Sequence, residues 1–101
     1  MNYTIRFQDL VAGDLQAVRD YWEQELQASP ERILNLILEI IDGLKSFPYI
    51  YQRLEDYQVL RRIVVEEYIV LYQVDEERKA VKIEYVYHGS RDLKKVLSRK
   101  R

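Results

Sequence analysis

The chain contains no cysteine, a single histidine (His88), three glycines and two prolines among 101 residues. Without cysteine there is no disulfide, no thiolate nucleophile and no cysteine-ligated zinc or iron–sulfur centre. One histidine excludes the usual multi-histidine metal sites and any Cys–His pair. A phosphate-cradling glycine loop and a GxSxG elbow are missing too, so nothing calls for a cofactor or a metal. So little glycine and proline leaves no room for long linkers, and the length suits one domain, 1–101. No apolar run approaches the roughly 20 residues of a membrane span, so no membrane partner is expected. The opening MNYTIRFQDL lacks a basic stretch followed by an apolar one, and the cytoplasm is the expected compartment.

What is present is the balance of a folded domain: 48% hydrophobic and 33% charged residues, enough apolar side chain to offset chain entropy. The formal net charge is −1, but it is unevenly spread. Arg91, Lys94, Lys95, Arg99, Lys100 and Arg101 crowd the last fourteen positions against one acid, Asp92. Such an end either meets a polyanion or an acidic protein segment, or is a solvated terminus; charge alone leaves both open. The mildly acidic balance is against a broad nucleic-acid footprint.

Tyr3-Thr4-Ile5-Arg6-Phe7 alternates with the period of a half-buried strand, Tyr3, Ile5 and Phe7 facing the core. Val11, Leu15, Val18, Trp22 and Leu26 recur at helical steps, with Asp9 or Asp14 as the cap. Ser29-Pro30 is a start signal for a second helix running to about Phe47, closed by Pro48. Its stripe is Ile33, Ile37, Ile40, Ile41, Leu44 and Phe47. Leu34 and Leu38 widen the apolar arc, as either a two-sided core or an edge left for a partner. Three strand-like runs follow: Tyr57–Val65, Tyr68–Val74 after a tight Glu66-Glu67 turn, and Val81–His88. A short basic helix from about Asp92 to Ser98 ends the pattern. The order is β-α-α-β-β-β plus a tail helix, an α+β fold with an antiparallel-rich sheet covered on one face by a helical hairpin. The other face is expected to be open and charged, carrying Arg6, Lys82, Glu84 and His88, with Arg61 or Arg62.

The nine tyrosines are explained by strand and core packing. Glu66-Glu67 and Glu76-Glu77 lie at turns and read as solvated. A Ser-His-Asp triad would need His88, Ser90 and Asp92, too close in sequence to assemble. The segment Tyr85 to Asp92 is the place where chemistry can concentrate. His88 can move protons near neutral pH, and Arg91 can bind phosphate bidentately. Together they suit metal-free cleavage of an RNA phosphodiester; equally, His88 can cap the strand end while Arg91 and Asp92 pair locally.

Three patches resemble the RelE/ParE superfamily of type II toxin–antitoxin toxins: Asp14-Leu15 with Tyr21, Leu60 to Val74 around the hairpin, and Val86-Tyr87-His88-Gly89-Ser90-Arg91-Asp92. The Phe47-Pro48 helix end fits as well. The resemblance implies a small toxin neutralised by a cognate antitoxin, with either DNA gyrase or the ribosome and its mRNA as target. For a RelE-like endoribonuclease the implied catalytic residues are His88, Arg91 and Arg62. The implied target-binding set is Arg61, Arg62, Lys82, His88, Arg91, Lys94 and Lys95, and Leu34 and Leu38 are the expected antitoxin contacts. The arginine that RelE-like nucleases carry after the hairpin tyrosine is Ile69 here, and the tail-helix tyrosine position is Leu97. The His-Gly-x-Arg-Asp ending is closer to ParE-like members, which favours gyrase inhibition over mRNA cleavage.

Overall fold

The computed structural model describes residues 2–99; Lys100 and Arg101 of the basic end lie outside them. The elements are β1 (Thr4–Phe7), α1 (Val11–Asp20), a π-helical turn (Tyr21–Glu25), α2 (Glu31–Gly43), β2 (Arg61–Val65), β3 (Tyr68–Asp75), β4 (Ala80–His88) and α3 (Leu93–Leu97). The sheet order is β1-β4-β3-β2. β1 runs parallel to β4, and the two hairpin pairings are antiparallel. The expected element order and fold class hold.

On one face α1 and α2 bury the main core. Val11, Val18, Ile33, Ile37 and Ile41 pack against Ile63, Val70, Tyr72, Val81 and Ile83, all at most 4% exposed. Helical spacing on α1 and α2 gives each helix one apolar side, and the two-residue period of the strands gives that side a matching sheet face. Three members of the expected stripes lie outside this core: Phe7, Leu26 and Phe47 are exposed. Leu26 is turned out because the helix changes pitch at Tyr21. The Leu26 N–H donates to Tyr21 O, and Gln27 takes a left-handed φ of 50°. Phe47 is turned out because α2 ends at Gly43. The chain then tightens, with Leu44, Lys45 and Ser46 donating to the carbonyls three positions back. Pro48 lies beyond that turn, and its carbonyl accepts the Tyr72 hydroxyl at 2.7 Å.

Asp14 is no cap. It lies inside α1, 7% exposed, and its carboxylate accepts the Val86 backbone N–H at 2.9 Å. Ser29 is a weak one: its hydroxyl accepts the Glu31 N–H at 3.4 Å. The Glu66-Glu67 turn forms as expected, with Glu66 at a φ of 56°, strained for a residue with a β-carbon. Arg32 of α2 holds that glutamate through two hydrogen bonds, at 2.8 and 3.0 Å.

The second face is not open throughout. Leu54, Leu60, Leu71, Tyr85, Tyr87 and Val96 form a smaller buried cluster there, with α3 lying over the sheet. The cause is a β-bulge. Leu71 pairs with Tyr85 and Tyr72 with Ile83, so Glu84 is the extra residue in β4. Before it, odd positions face the helices; after it, even positions do. Tyr85 and Tyr87 therefore go to the second face, and Val86 and His88 turn toward α1. The expectation of one alternation through β4, with Glu84 and His88 on an open face, is corrected accordingly. Glu84 is buried and accepts a hydrogen bond from Gln73 at 2.9 Å.

Candidate functional site

At the end of β4 the chain turns through Gly89, whose N–H donates to Glu67 O at 2.7 Å. A β-carbon there would come within 3.2 Å of that same carbonyl, so the close approach of the two turns favours glycine. The turn folds back on the histidine. The Ser90 backbone N–H donates to His88 Nδ1 at 3.1 Å, and the Ser90 hydroxyl lies 2.7 Å from the same nitrogen. A backbone N–H can only donate, so Nδ1 carries the lone pair and the neutral ring holds its proton on Nε2. His88 thus presents a donor. Its accepting nitrogen is already engaged, and Tyr68 packs edge-on against the ring at 5.5 Å.

The cations separate by face and by strand end. Arg62 and Arg91 are exposed and form no ion pair among the described residues. Both act on Tyr87: burial pushes its phenol up, and the two guanidiniums pull it back. Arg61 faces the other way. It donates to Tyr51 O at 2.7 Å and lies 5.0 Å over the Tyr49 ring, tying the 48–53 loop to the sheet. Lys82 pairs in register with Arg6 at the opposite end of β4 from His88. Five strand residues, one of them the bulge, lie between the two, about 17 Å. Lys94 and Lys95 are exposed on α3. Of the expected cationic set, Arg62 and Arg91 both act electrostatically on Tyr87, and Arg61 and Lys82 lie apart from them.

Leu34 is 7% exposed and belongs to the helix-face core, so the apolar edge expected there is absent; Leu38 is 40% exposed. Leu38 and the exposed Phe7 line one shallow depression between α1 and α2.

Three residues escaped the sequence reading as parts of a site. Asp14, Tyr21 and Tyr68 line a cavity of about 320 Å³ with His88, Ser90 and Arg91. Asp14 is clamped by Arg99, with contacts of 2.6 and 3.1 Å. Burial raises the Tyr68 phenol above its ordinary range, and its oxygen accepts the Trp22 indole N–H at 2.9 Å. The available signal was the helical spacing of positions 14, 17, 18 and 21, which puts them on one face. Among the described residues no group of three or more acidic or histidine side chains is placed to hold a metal ion. No helix among them is long and apolar enough to cross a membrane.

The profile of a family described as the ParE toxin of type II toxin–antitoxin system, parDE, matches residues 5–93. No curated protein matches the chain by sequence. The RelBE2 toxin–antitoxin complex from Mycobacterium tuberculosis contains a similar chain, with a TM-score of 0.69 and 25% identity over 87% of this chain and 99% of that one. The chromosomal ParDE system of P. aeruginosa gives 0.71 at 17% identity, over 85% and 95%. The archaeal RelE–RelB complex from Pyrococcus horikoshii gives 0.64 at 23%, over 91% and 100%. At 17% and 23% identity, the last two speak to the fold.

Proposed function

The chain belongs to the RelE/ParE superfamily of type II toxin–antitoxin toxins, and from that premise we propose that it is a ParE-like inhibitor of DNA gyrase. It is silenced by a cognate antitoxin and needs no catalysis of its own. The supporting observation is the state of the only histidine. Cleavage of RNA through its 2′-hydroxyl calls for a base, and the lone-pair nitrogen of His88 is already taken by the Ser90 N–H. Of the wider cationic set expected to bind a target, Arg61 and Lys82 lie away from Arg91. A protein-binding toxin needs a surface instead. Arg62, Arg91, Lys94 and Lys95 are exposed cations available to an acidic target. The antitoxin proposal draws on the related structures, which are toxin–antitoxin complexes. Leu38, with Phe7 beside it, is the proposed contact.

A second reading, ribosome-dependent mRNA cleavage, draws on one observation: the charges of Arg62 and Arg91 both act on the Tyr87 phenol, and guanidiniums suit a phosphodiester. A paired assay decides. The purified chain is expected to trap gyrase-cleaved DNA and to leave translated mRNA intact. Codon-register cuts that vanish with Arg91→Ala or Arg62→Ala, with no trapped gyrase, would replace this reading by the second.

A further inference from the structure

The chain carries four serines, Ser29, Ser46, Ser90 and Ser98, and their hydroxyls meet different surroundings. The Ser98 hydroxyl donates to the Lys95 carbonyl at 2.7 Å, and the Ser29 oxygen accepts the Glu31 N–H at 3.4 Å. Ser46 is exposed in the turn after α2. Ser90 alone of the four faces a base. Its oxygen lies 2.7 Å from His88 Nδ1. That nitrogen accepts the Ser90 backbone N–H, so it carries a lone pair, and the hydroxyl can only give its proton to it. The lone pair that is closed to an outside hydroxyl is thereby offered to an inside one. The turn holds both groups still. The Gly89 N–H is fixed on Glu67 O at 2.7 Å and the Arg91 N–H on His88 O at 3.0 Å. Asp92 then caps α3 by accepting the Lys94 N–H at 3.0 Å. A hydroxyl and a base within hydrogen-bond reach of each other, on a pinned turn, is the arrangement that activates an oxygen nucleophile.

The surroundings narrow the choice of group that Ser90 would accept. Gly89, Ser90 and Arg91 are exposed, so a modifying partner can reach them. The cavity of about 320 Å³ beside the turn leaves room for an added group. Arg91 forms no ion pair among the described residues, and Lys94 and Lys95 follow it, exposed on α3. The one acid in the cavity lining, Asp14, is held by Arg99. A neutral acyl group would leave these cations unpaired, whereas a phosphoryl group would pair with them. We propose that Ser90 is a phosphorylation site, its hydroxyl primed by His88. The Ser90 oxygen attacks the γ-phosphorus of a nucleoside triphosphate carried by a partner kinase. The new oxygen–phosphorus bond forms as the bond from that phosphorus to its bridging oxygen breaks. The electron pair leaves with the nucleoside diphosphate, and the Ser90 proton passes to Nδ1. The product is a phosphoserine beside an imidazolium and the Arg91 guanidinium. The site stands whether gyrase or mRNA is the target.

The test uses diisopropyl fluorophosphate, a small phosphoryl donor that needs no kinase and loses fluoride in place of the nucleoside diphosphate. The folded full chain is exposed to it, and the labelled peptides are followed by mass spectrometry. The ester is expected on Ser90 about a hundredfold faster than on Ser29, Ser46 or Ser98. His88→Gln keeps an acceptor beside the hydroxyl and removes the base, so it is expected to abolish that advantage. Added imidazole is expected to restore part of it in His88→Ala. The comparison among the four serines needs no variant, so it holds even if position 88 tolerates no change. Equal labelling of the four overturns the proposal, and so does unchanged Ser90 labelling in His88→Gln. A chain synthesised with phosphoserine at position 90 tests the product by phosphorus NMR. Its second ionisation is expected about one unit below the ordinary value of about 6, with Arg91→Ala returning it toward that value. A phosphate that titrates as in an unstructured peptide overturns the choice of a phosphoryl group.

Discussion

The two halves of β4 belong to one strand and are held by different means. Ala80–Ile83 lies between two strands, with β1 on one side and β3 on the other. Tyr85–His88 has β3 on one side only, and on the other a carboxylate from a helix. In the first half the backbone is satisfied by regular ladder bonds. In the second, Asp14 stands in for one strand residue and is itself fixed by Arg99 from beyond α3. The bulge at Glu84 marks the border. The lesson is that a sheet edge can be finished by a single well-placed side chain.

Inserting one alanine between Tyr85 and Val86 is the most severe way to break the contrast. With the added residue in the place of Val86, Val86 would rotate toward α3 and Tyr87 under the helices. Loss of a cooperative urea transition is expected, followed by circular dichroism. Asp14→Ala comes next. It leaves the Val86 N–H and the Arg99 guanidinium without their partner, at a cost of about 3 kcal/mol in urea unfolding. A change below about 1 kcal/mol would mean that Asp14 is not the substitute strand.

Val96→Ala tests the cover over the second half. Val96 is 0% exposed within the smaller cluster. Removing two methyl groups there should cost about 2 kcal/mol by the same measurement. The smallest effect concerns the first half, where Tyr3, Tyr49 and Lys79 gather on the Glu76 carboxylate at the β3–β4 turn. Hydrogen bonds from Lys79, Tyr49 and Tyr3 bring its pKa from 4.5 down to about 2. A folded value below the unfolded one means that the stabilisation is complete above about 4.5. It is lost as the pH falls from there toward about 2. Glu76→Gln should flatten stability against pH in that window and leave neutral pH almost unchanged. An identical acid profile in variant and parent would remove Glu76 from the account.

The parts of this molecule that were legible in its sequence are those governed by a short period. The β-α-α-β-β-β order, the Glu66-Glu67 turn and the helix-face core through Val18, Ile37 and Ile63 follow from spacing alone. Two of the failures share a cause: one residue out of period. Glu84 inserts one into a strand, and every side chain after it changes face, so His88 was placed with Lys82 when it lies under α1. The π turn at Tyr21 does the same to a helix and exposes Leu26. Asp14 was misread because an aspartate near a helix start resembles a cap, and its true partner, Val86, lies 72 positions away. Arg62 and Arg91 were legible as candidates, but their shared influence on Tyr87 was not, because the bulge sets the face on which Tyr87 lies.

The Asp14–Arg99 clamp has a consequence in time. Its two ends are 85 positions apart, and β1 waits for β4 before it has any neighbour in the sheet. During synthesis the N-terminal strand and helix emerge first, with their apolar sides uncovered, and they cannot be finished by anything made early. The sheet and the cavity beside α1 are therefore completed only once nearly all of the chain has left the ribosome. A partner translated beforehand would meet a chain still assembling.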